Sequence, residues 1–181
     1  MASWPAVARR IRVPMGFAFA AAYFWLARPT IAFTLCGSVL VALGLALRAV
    51  ASGHVQKNEQ LTTSGPYAHT RNPLYLGSLM LAVGFAIAGH SWWIGAAVIL
   101  MFISIYLPVI HAEETFLRQR FPAFEDYARR VPRLLPRLRS FGNTPGRFSW
   151  DLYWKHREYN ATVGSVAMLA ALAVKALWFP K

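Results

Sequence analysis

The chain has a single cysteine, Cys36, so no intrachain disulfide can form. Cys36 lies in an apolar run, where a packed small hydrophobe is its expected role. Acidic residues are scarce: 7 Asp and Glu stand against 19 Lys and Arg, a formal net charge of +12. Such a surplus can mark a nucleic-acid binder. However, no nucleic-acid fold signature is present, and the bases cluster beside apolar runs, as the positive-inside rule describes. There is no internal repeat and no low-complexity tract, so the chain is neither a repeat array nor a compositionally biased segment. Polar residues are almost missing from the middle of the apolar runs, which argues against a transport path. No metal-ligating set is assigned either. His90 and His111, the pair that could hold a haem, are expected at opposite membrane faces.

What is present is apolarity. The 181 residues are 56% hydrophobic with mean hydropathy +0.37. That exceeds an ordinary soluble domain and points to the membrane class. Five stretches read as spans. Residues 13–27 follow a basic start (Arg9, Arg10, Arg12) and resemble a signal peptide in outline. No small-residue cleavage site precedes the next run, so this is read as the first membrane helix. It is short for a span and calls for local thinning of the bilayer. Residues 30–47 form the second, joined to the first by a tight turn at Arg28-Pro29. Gly37 and Gly44 would let backbones approach closely. Residues 74–88 form the third. Gly89-His90-Ser91 turns the chain, and Trp92-Trp93 marks the far interface. Residues 92–110 form the fourth, with Pro108 expected to kink it. Residues 161–179 form the fifth, with Lys175 placed to snorkel.

The expected fold is therefore all-α, a polytopic membrane helical bundle of about five spans. It divides into an N-terminal hairpin (1–50), a core (51–138) and an interfacial segment with a C-terminal helix (139–181). Within the core, residues 115–127 look helical and split at Pro122, and residues 131–136 must be extended or turning. Residues 139–159 mix bases with Phe141, Phe148, Trp150, Tyr153, Trp154 and Tyr159, a composition that suits the membrane surface. The basic segments are the N-terminus, 48–71 and 118–157, whereas the Gly89 turn has no Lys or Arg. The N-terminus, the 51–67 loop and the Glu113 region are thus expected on the cytoplasmic face, a bacterial inner membrane being the expected setting.

The chain is organised around residues 63–77, Thr-Ser-Gly-Pro-Tyr-Ala-His-Thr-Arg-Asn-Pro-Leu-Tyr-Leu-Gly. Ser64-Gly65-Pro66 reads as a turn. Asn72-Pro73 reads as a helix start, Asn as N-cap and Pro at the first helical position. Arg71 and Asn72 are so delivered to the mouth of a membrane helix, where free N–H groups and the dipole favour an anion. The competing reading is an ordinary loop anchored at the interface by Tyr, Arg and Pro. The hairpin of spans three and four then brings its start (Arg71, Asn72, Tyr75) and its end (His111, Glu113, Glu114) to one face. Adjacent carboxylates just beyond a span need water or a cationic partner. One reading has them solvated, or Glu114 paired with Arg118 four residues on. The other has an ammonium-binding carboxylate facing a carboxylate-binding helix start, which suits a zwitterionic amino-acid moiety.

Gly65-Pro66-Tyr67 followed by Arg71-Asn72-Pro73-Leu74-Tyr75-Leu76-Gly77 resembles the G-x-Y…R-[HN]-P-x-Y-x-G motif of isoprenylcysteine carboxyl methyltransferases and their phospholipid N-methyltransferase relatives. Glu113-Glu114-Thr115-Phe116-Leu117, then Phe121, Tyr127 and Val131-Pro132-Arg133, resembles their downstream E-E-x-x-L…F…Y…V-P-R block. The resemblance covers about residues 53–136. It implies S-adenosyl-L-methionine bound at the cytoplasmic face and a lipophilic or lipid substrate arriving from the bilayer. By position it implies cofactor contacts from Gln56, Glu59, Gln60, Leu61, Thr62, Tyr67, Asn72, Pro73, Leu74, Tyr75 and Glu113. Asn72 replaces the His of the eukaryotic enzymes. Val109 stands where those enzymes place an Arg near the substrate, which argues against a prenylcysteine carboxylate as acceptor.

Methyl transfer from a sulfonium is an in-line displacement, so alignment and water exclusion are the main tasks. Glu113 is expected to hold the cofactor ammonium and Arg71 its carboxylate. A carboxylate acceptor needs no base; an amine or thiol must lose a proton, for which His111 or Glu114 is the candidate. His111 reads equally as an interfacial or capping histidine. The alternatives are an NADPH-dependent membrane reductase of the sterol-reductase type, whose C-terminal part has a related R-H-P-x-Y arrangement, and a non-enzymatic membrane protein.

Overall fold

In hydrocarbon, backbone N–H and C=O groups must find partners within the chain, and helices satisfy this locally. The computed structural model follows that rule. It describes residues 18, 21–56, 59–142 and 146–178, and among these it contains helices and no strand. The first expected span lies mostly outside the described residues; within it, residues 21–26 are helical.

Helix α1 is Ile31–Ser52, started by Thr30, whose side chain accepts from the Phe33 N–H. It runs five residues past the expected end at 47. Arg48 does not stop it, because the guanidinium folds back toward neighbouring helices and Ala49-Val50-Ala51 continue the helix. Helix α2 is Pro73–Ala88. It packs antiparallel on α1 along a glycine seam. A Cβ on Gly37 would stand 2.3 Å from the Gly84 carbonyl oxygen, and one on Gly44 2.8 Å from that of Gly77. The close approach expected of Gly37 and Gly44 is thus made with α2.

Helix α3 (Trp92–Met101), a π-helical turn (Phe102–Tyr106) and helix α4 (Leu107–Arg120) form one continuous 29-residue helix. The expected end at 110 is corrected: His-Ala-Glu-Glu-Thr-Phe-Leu-Arg-Gln-Arg is mostly good helix former and meets no breaker before Phe121-Pro122. Nor does Pro108 end the helix. Its ring would crowd the carbonyl four residues back, and the wider turn, closed by Leu107 N–H to the Phe102 carbonyl, relieves that. Helix α5 is Phe124–Arg130, so the split at Pro122 is real. Helix α6 is Trp150–Lys155, capped by Ser149, and α7 is Tyr159–Trp178.

Among the described residues three helices are long and apolar enough to cross a membrane (Ile31–Ser52, Trp92–Arg120 and Tyr159–Trp178), and Pro73–Ala88 is a shorter apolar one. The chain is a polytopic helical membrane bundle. Its outer surface carries large apolar side chains such as Leu35, Val39, Leu100 and Val163, as a lipid-facing shell requires. Cys36 belongs to this exposed shell, not to the interior as expected. The interior holds Tyr23, Ala27, Ala88, Ile94, Val98 and Leu172. Lys175 donates to the Phe24 carbonyl and lies over its ring.

The bundle has two distinct ends. At one, Arg28 N–H donates to the Gly89 carbonyl at 2.8 Å and the Phe33 ring stacks on His90. At the other end, α1 delivers Ser52, α2 begins, and α4 carries Glu113 and Glu114. Among the described residues, the 53–72 loop, the 131–141 segment and the Ser149–Glu158 segment meet at this end.

Candidate functional site

The loop between α1 and α2 is irregular backbone, and several polar groups of its described residues are bonded to Tyr127 and the 131–141 segment. Arg71 N–H donates to the Pro132 carbonyl at 2.9 Å, Arg137 N–H to that of His69 at 3.0 Å and Phe141 N–H to that of Ala68 at 3.0 Å. The Thr70 hydroxyl donates to the Leu134 carbonyl, and the Tyr127 hydroxyl donates to the Tyr67 carbonyl at 2.7 Å. The expected Ser64-Gly65-Pro66 turn starts a single 3-10 turn, Gly65–Ala68. Gly65 takes φ +57 with the His54 ring against it, a conformation that disfavours any side chain.

Asn72 occupies the N-cap position with Pro73 after it, but its side chain does not cap the helix. The amide instead donates to Glu114 Oε1 at 2.9 Å and to the Arg133 carbonyl at 3.1 Å. Glu114 is 2% exposed. Its Oε2 receives Arg133 Nε at 3.1 Å and Nη2 at 2.9 Å, with Arg71 Nη1 at 3.4 Å. The Glu114–Arg118 pairing is not formed; Arg118 bonds Glu125 on α5. Glu113, one residue away, points differently. It is exposed, and the Tyr75 hydroxyl donates to its Oε1 at 2.8 Å. The two carboxylates thus separate: Glu114 is enclosed by cations, and Glu113 is held by one phenol and open to what arrives.

Between these groups lies a cavity of about 880 Å³, large enough for a nucleoside carrying an amino acid. Gln56, Gln60, Leu61 and Thr62 line it from the loop. Tyr67, Arg71, Asn72, Leu74 and Tyr75 line it from the next turn and α2, and Glu113 and Glu114 from α4. Three of the expected residues fall elsewhere. Pro73 is buried behind the wall, and Glu59 is exposed, 3.7 Å from Lys155 Nζ. His111 is exposed on α4 and is not among the lining residues.

Among the lining residues that were not expected are the polar Arg48, Ser78, Tyr106, His156 and Glu158. Arg48 Nη2 donates to Glu158 Oε2 at 2.8 Å and Nε to the same oxygen at 3.0 Å, while Nη1 reaches the Ser78 hydroxyl. The segment leading to Glu158 is docked on the loop. Ser149 N–H donates to the Gly53 carbonyl, and the Phe148 ring covers Gly53. A charge at the end of an apolar run (Arg48) and an acid in a basic segment (Glu158) were the available signals.

Burial pushes the Tyr67 hydroxyl well above the ordinary phenol range, with Tyr127 and Glu113 adding to the shift and Arg48 opposing it. Tyr127 shifts the same way, also by burial, with Arg71 opposing. Both remain neutral phenols near neutral pH and are not bases, and the Tyr127 hydroxyl donates to the Tyr67 carbonyl.

Residues 25–123 match the family model described as "Phospholipid methyltransferase". The chain is 38% identical over 98 residues to the cobalt-zinc-cadmium resistance protein CzcN of Cupriavidus metallidurans, covering 54% of this chain and 44% of that one. It is 40% identical over 86 residues to the nickel-cobalt-cadmium resistance protein NccN of Alcaligenes xylosoxydans xylosoxydans, covering 48% of this chain and 40% of that one. The matched segment is thus less than half the length of either curated relative. No solved structure matches. With more than half its length matched, including the loop, α2 and the Glu113-Glu114 pair, the chain belongs to the phospholipid methyltransferase family.

Proposed function

We propose that the protein is an S-adenosylmethionine-dependent methyltransferase acting on a lipophilic acceptor at the cytoplasmic membrane face. The observation that carries this is the pair of unlike carboxylates in one cavity. Glu113 is open and oriented by Tyr75, as an ammonium-binding group requires. Arg71 lines the same cavity; its Nε is buried with no hydrogen-bond partner, and its Nη1 contact to Glu114 is long. It therefore retains capacity to bind a carboxylate, next to the start of α2. Gln56, Thr62 and the aromatic rings of Tyr67 and Tyr75 supply polar and stacking contacts of the kind a nucleoside needs. The residues present thus fit the cofactor. When bound, S-adenosylmethionine supplies an electrophilic methyl group.

The chain's own contribution is alignment and exclusion of water. Glu114, with its three partners, fixes Asn72 and hence the start of α2 relative to α4. A lipophilic acceptor is in keeping with the membrane setting of the family; Ser78 and Tyr106 of the cavity also line a small apolar recess of about 20 Å³ with Ala82, Val98 and Phe102. The relatives are named for resistance to metals, yet among the described residues no group of three or more His, Cys, Asp or Glu is placed to hold a metal ion.

The test is calorimetric titration of the detergent-purified protein with S-adenosylhomocysteine, with NADPH in parallel. Saturable binding of the former alone is expected. Binding of NADPH alone would replace this reading with a reductase, and binding of neither by folded protein would remove the enzymatic reading.

A further inference from the structure

The structure points to His156 as the proton acceptor for the methyl acceptor, an inference that rests on the methyltransferase reading and goes beyond it. We infer that the natural acceptor carries a nucleophile with a proton to lose, a thiol or an amine on a lipophilic body, and not a carboxylate. His156 comes from outside the segment matched by the family model, yet it lines the cavity. Its Nδ1 lies 3.2 Å from the Ser52 carbonyl oxygen. A carbonyl only accepts, so Nδ1 carries a hydrogen, and in the neutral ring the lone pair then lies on Nε2. A base whose tautomer is set by a third group is the arrangement general-base chemistry requires. Glu158, two residues on, is clamped by Arg48, which secures the segment that carries the imidazole.

The other candidates for this proton are poorly placed. His111 is exposed and off the cavity. Glu114 already accepts from Asn72 and Arg133, with Arg71 nearby. Tyr67 and Tyr127 are held as neutral phenols. In the step, the acceptor's S–H or N–H proton passes to His156 Nε2. The lone pair on sulfur or nitrogen forms the bond to the methyl carbon. The sulfonium–methyl bond breaks with its electron pair left on sulfur, giving S-adenosylhomocysteine, and the imidazolium releases its proton to water.

The test uses the full chain in detergent with decane-1-thiol, decylamine and decanoate as probes. In His156→Asn, the amide can still donate to the Ser52 carbonyl but no basic atom remains. We expect wild-type protein to methylate the thiol or the amine, and the variant to do so at least a hundredfold more slowly. Its S-adenosylhomocysteine affinity, read by calorimetry, should change less than threefold. Diethylpyrocarbonate modification of His156, followed by peptide mass spectrometry, should slow at least tenfold when S-adenosylhomocysteine and decane-1-thiol are both present. If the Asn variant does not fold, His156→Gln takes its place. Turnover within threefold of wild type, methylation of decanoate alone, methylation of none of the probes by protein that binds S-adenosylhomocysteine, or an unprotected His156 would each overturn the inference. Failure of wild-type protein to bind S-adenosylhomocysteine would overturn the underlying methyltransferase reading instead.

Discussion

Asn72 on the threshold of α2 and Glu114 on α4 are joined by a 2.9 Å hydrogen bond between buried side chains 42 positions apart. The bond is one of several that surround a single enclosed carboxylate. Glu114→Ala would leave Arg71, Arg133 and Asn72 without their acceptor. Removing one partner of a buried ionic cluster costs about 3–5 kcal/mol. A large fall in the thermal unfolding midpoint, followed by circular dichroism in detergent, is expected. Glu114→Gln keeps one acceptor oxygen and should fall less. An unchanged midpoint for the alanine variant would show that the cluster does not hold α2 to α4.

Glu113 should behave in the opposite way. Being exposed, it contributes little to folding, so Glu113→Ala should melt near wild type. Its loss removes a charged partner for an ammonium, and S-adenosylhomocysteine affinity should fall about ten- to hundredfold. Tyr75→Phe releases the carboxylate from its 2.8 Å bond and should cost less, about fivefold. Undiminished affinity in folded Glu113→Ala protein would remove this residue from the cofactor site.

The glycine seam makes a sharp packing prediction. Gly37→Ala or Gly84→Ala introduces a methyl group within 3 Å of backbone on the facing helix and should destabilise by about 1–3 kcal/mol. Gly95 has open space where a Cβ would stand, so Gly95→Ala should stay within about 0.5 kcal/mol of wild type. Comparable melting of all three variants would mean that α1 and α2 do not meet along this line.

Alkaline stability follows from Tyr67 and Tyr127. Their folded values lie above the ordinary phenol value of 10.0. Below that pH both states are protonated and the stabilisation is fully present. Above it the unfolded chain sheds protons that the folded chain keeps, so stability falls as pH rises past about 10. Tyr127→Phe removes one contributor and should flatten that decline, while lowering stability near neutrality through the lost bond to the Tyr67 carbonyl. A decline as steep as wild type in that variant would contradict the assignment.

Much of this arrangement was legible in the chain. Apolar runs marked the helices, and the turn-rich stretch and the Glu113-Glu114 pair pointed to one end of the bundle. What escaped was partner choice. Asn72 reads as a cap because local rules favour it there, and only tertiary structure shows that Glu114 takes its amide. Arg118 sits at the right spacing for Glu114, yet Glu114 is turned inward and α5 offers Glu125. The Arg48–Glu158 pair spans 110 positions, and no local pattern reports a contact of that separation. His156 escaped for the same reason: its significance lies in the Ser52 carbonyl across the fold.

The unbroken helix from Trp92 to Arg120 acts as a ruler. Trp92 and Trp93 are exposed at the end remote from the cavity, and Glu113 stands 21 residues further along. At 1.5 Å per residue that distance is roughly 30 Å, close to the hydrocarbon thickness of a bilayer. The depth of the carboxylate is thereby tied to the aromatic anchor on the opposite leaflet. Lipids with longer chains would draw Glu113 toward the acyl region, and shorter ones would lift it into water. Under the proposed methyl transfer, membrane thickness itself then becomes a variable that sets how readily a water-borne and a lipid-borne molecule meet in the same site.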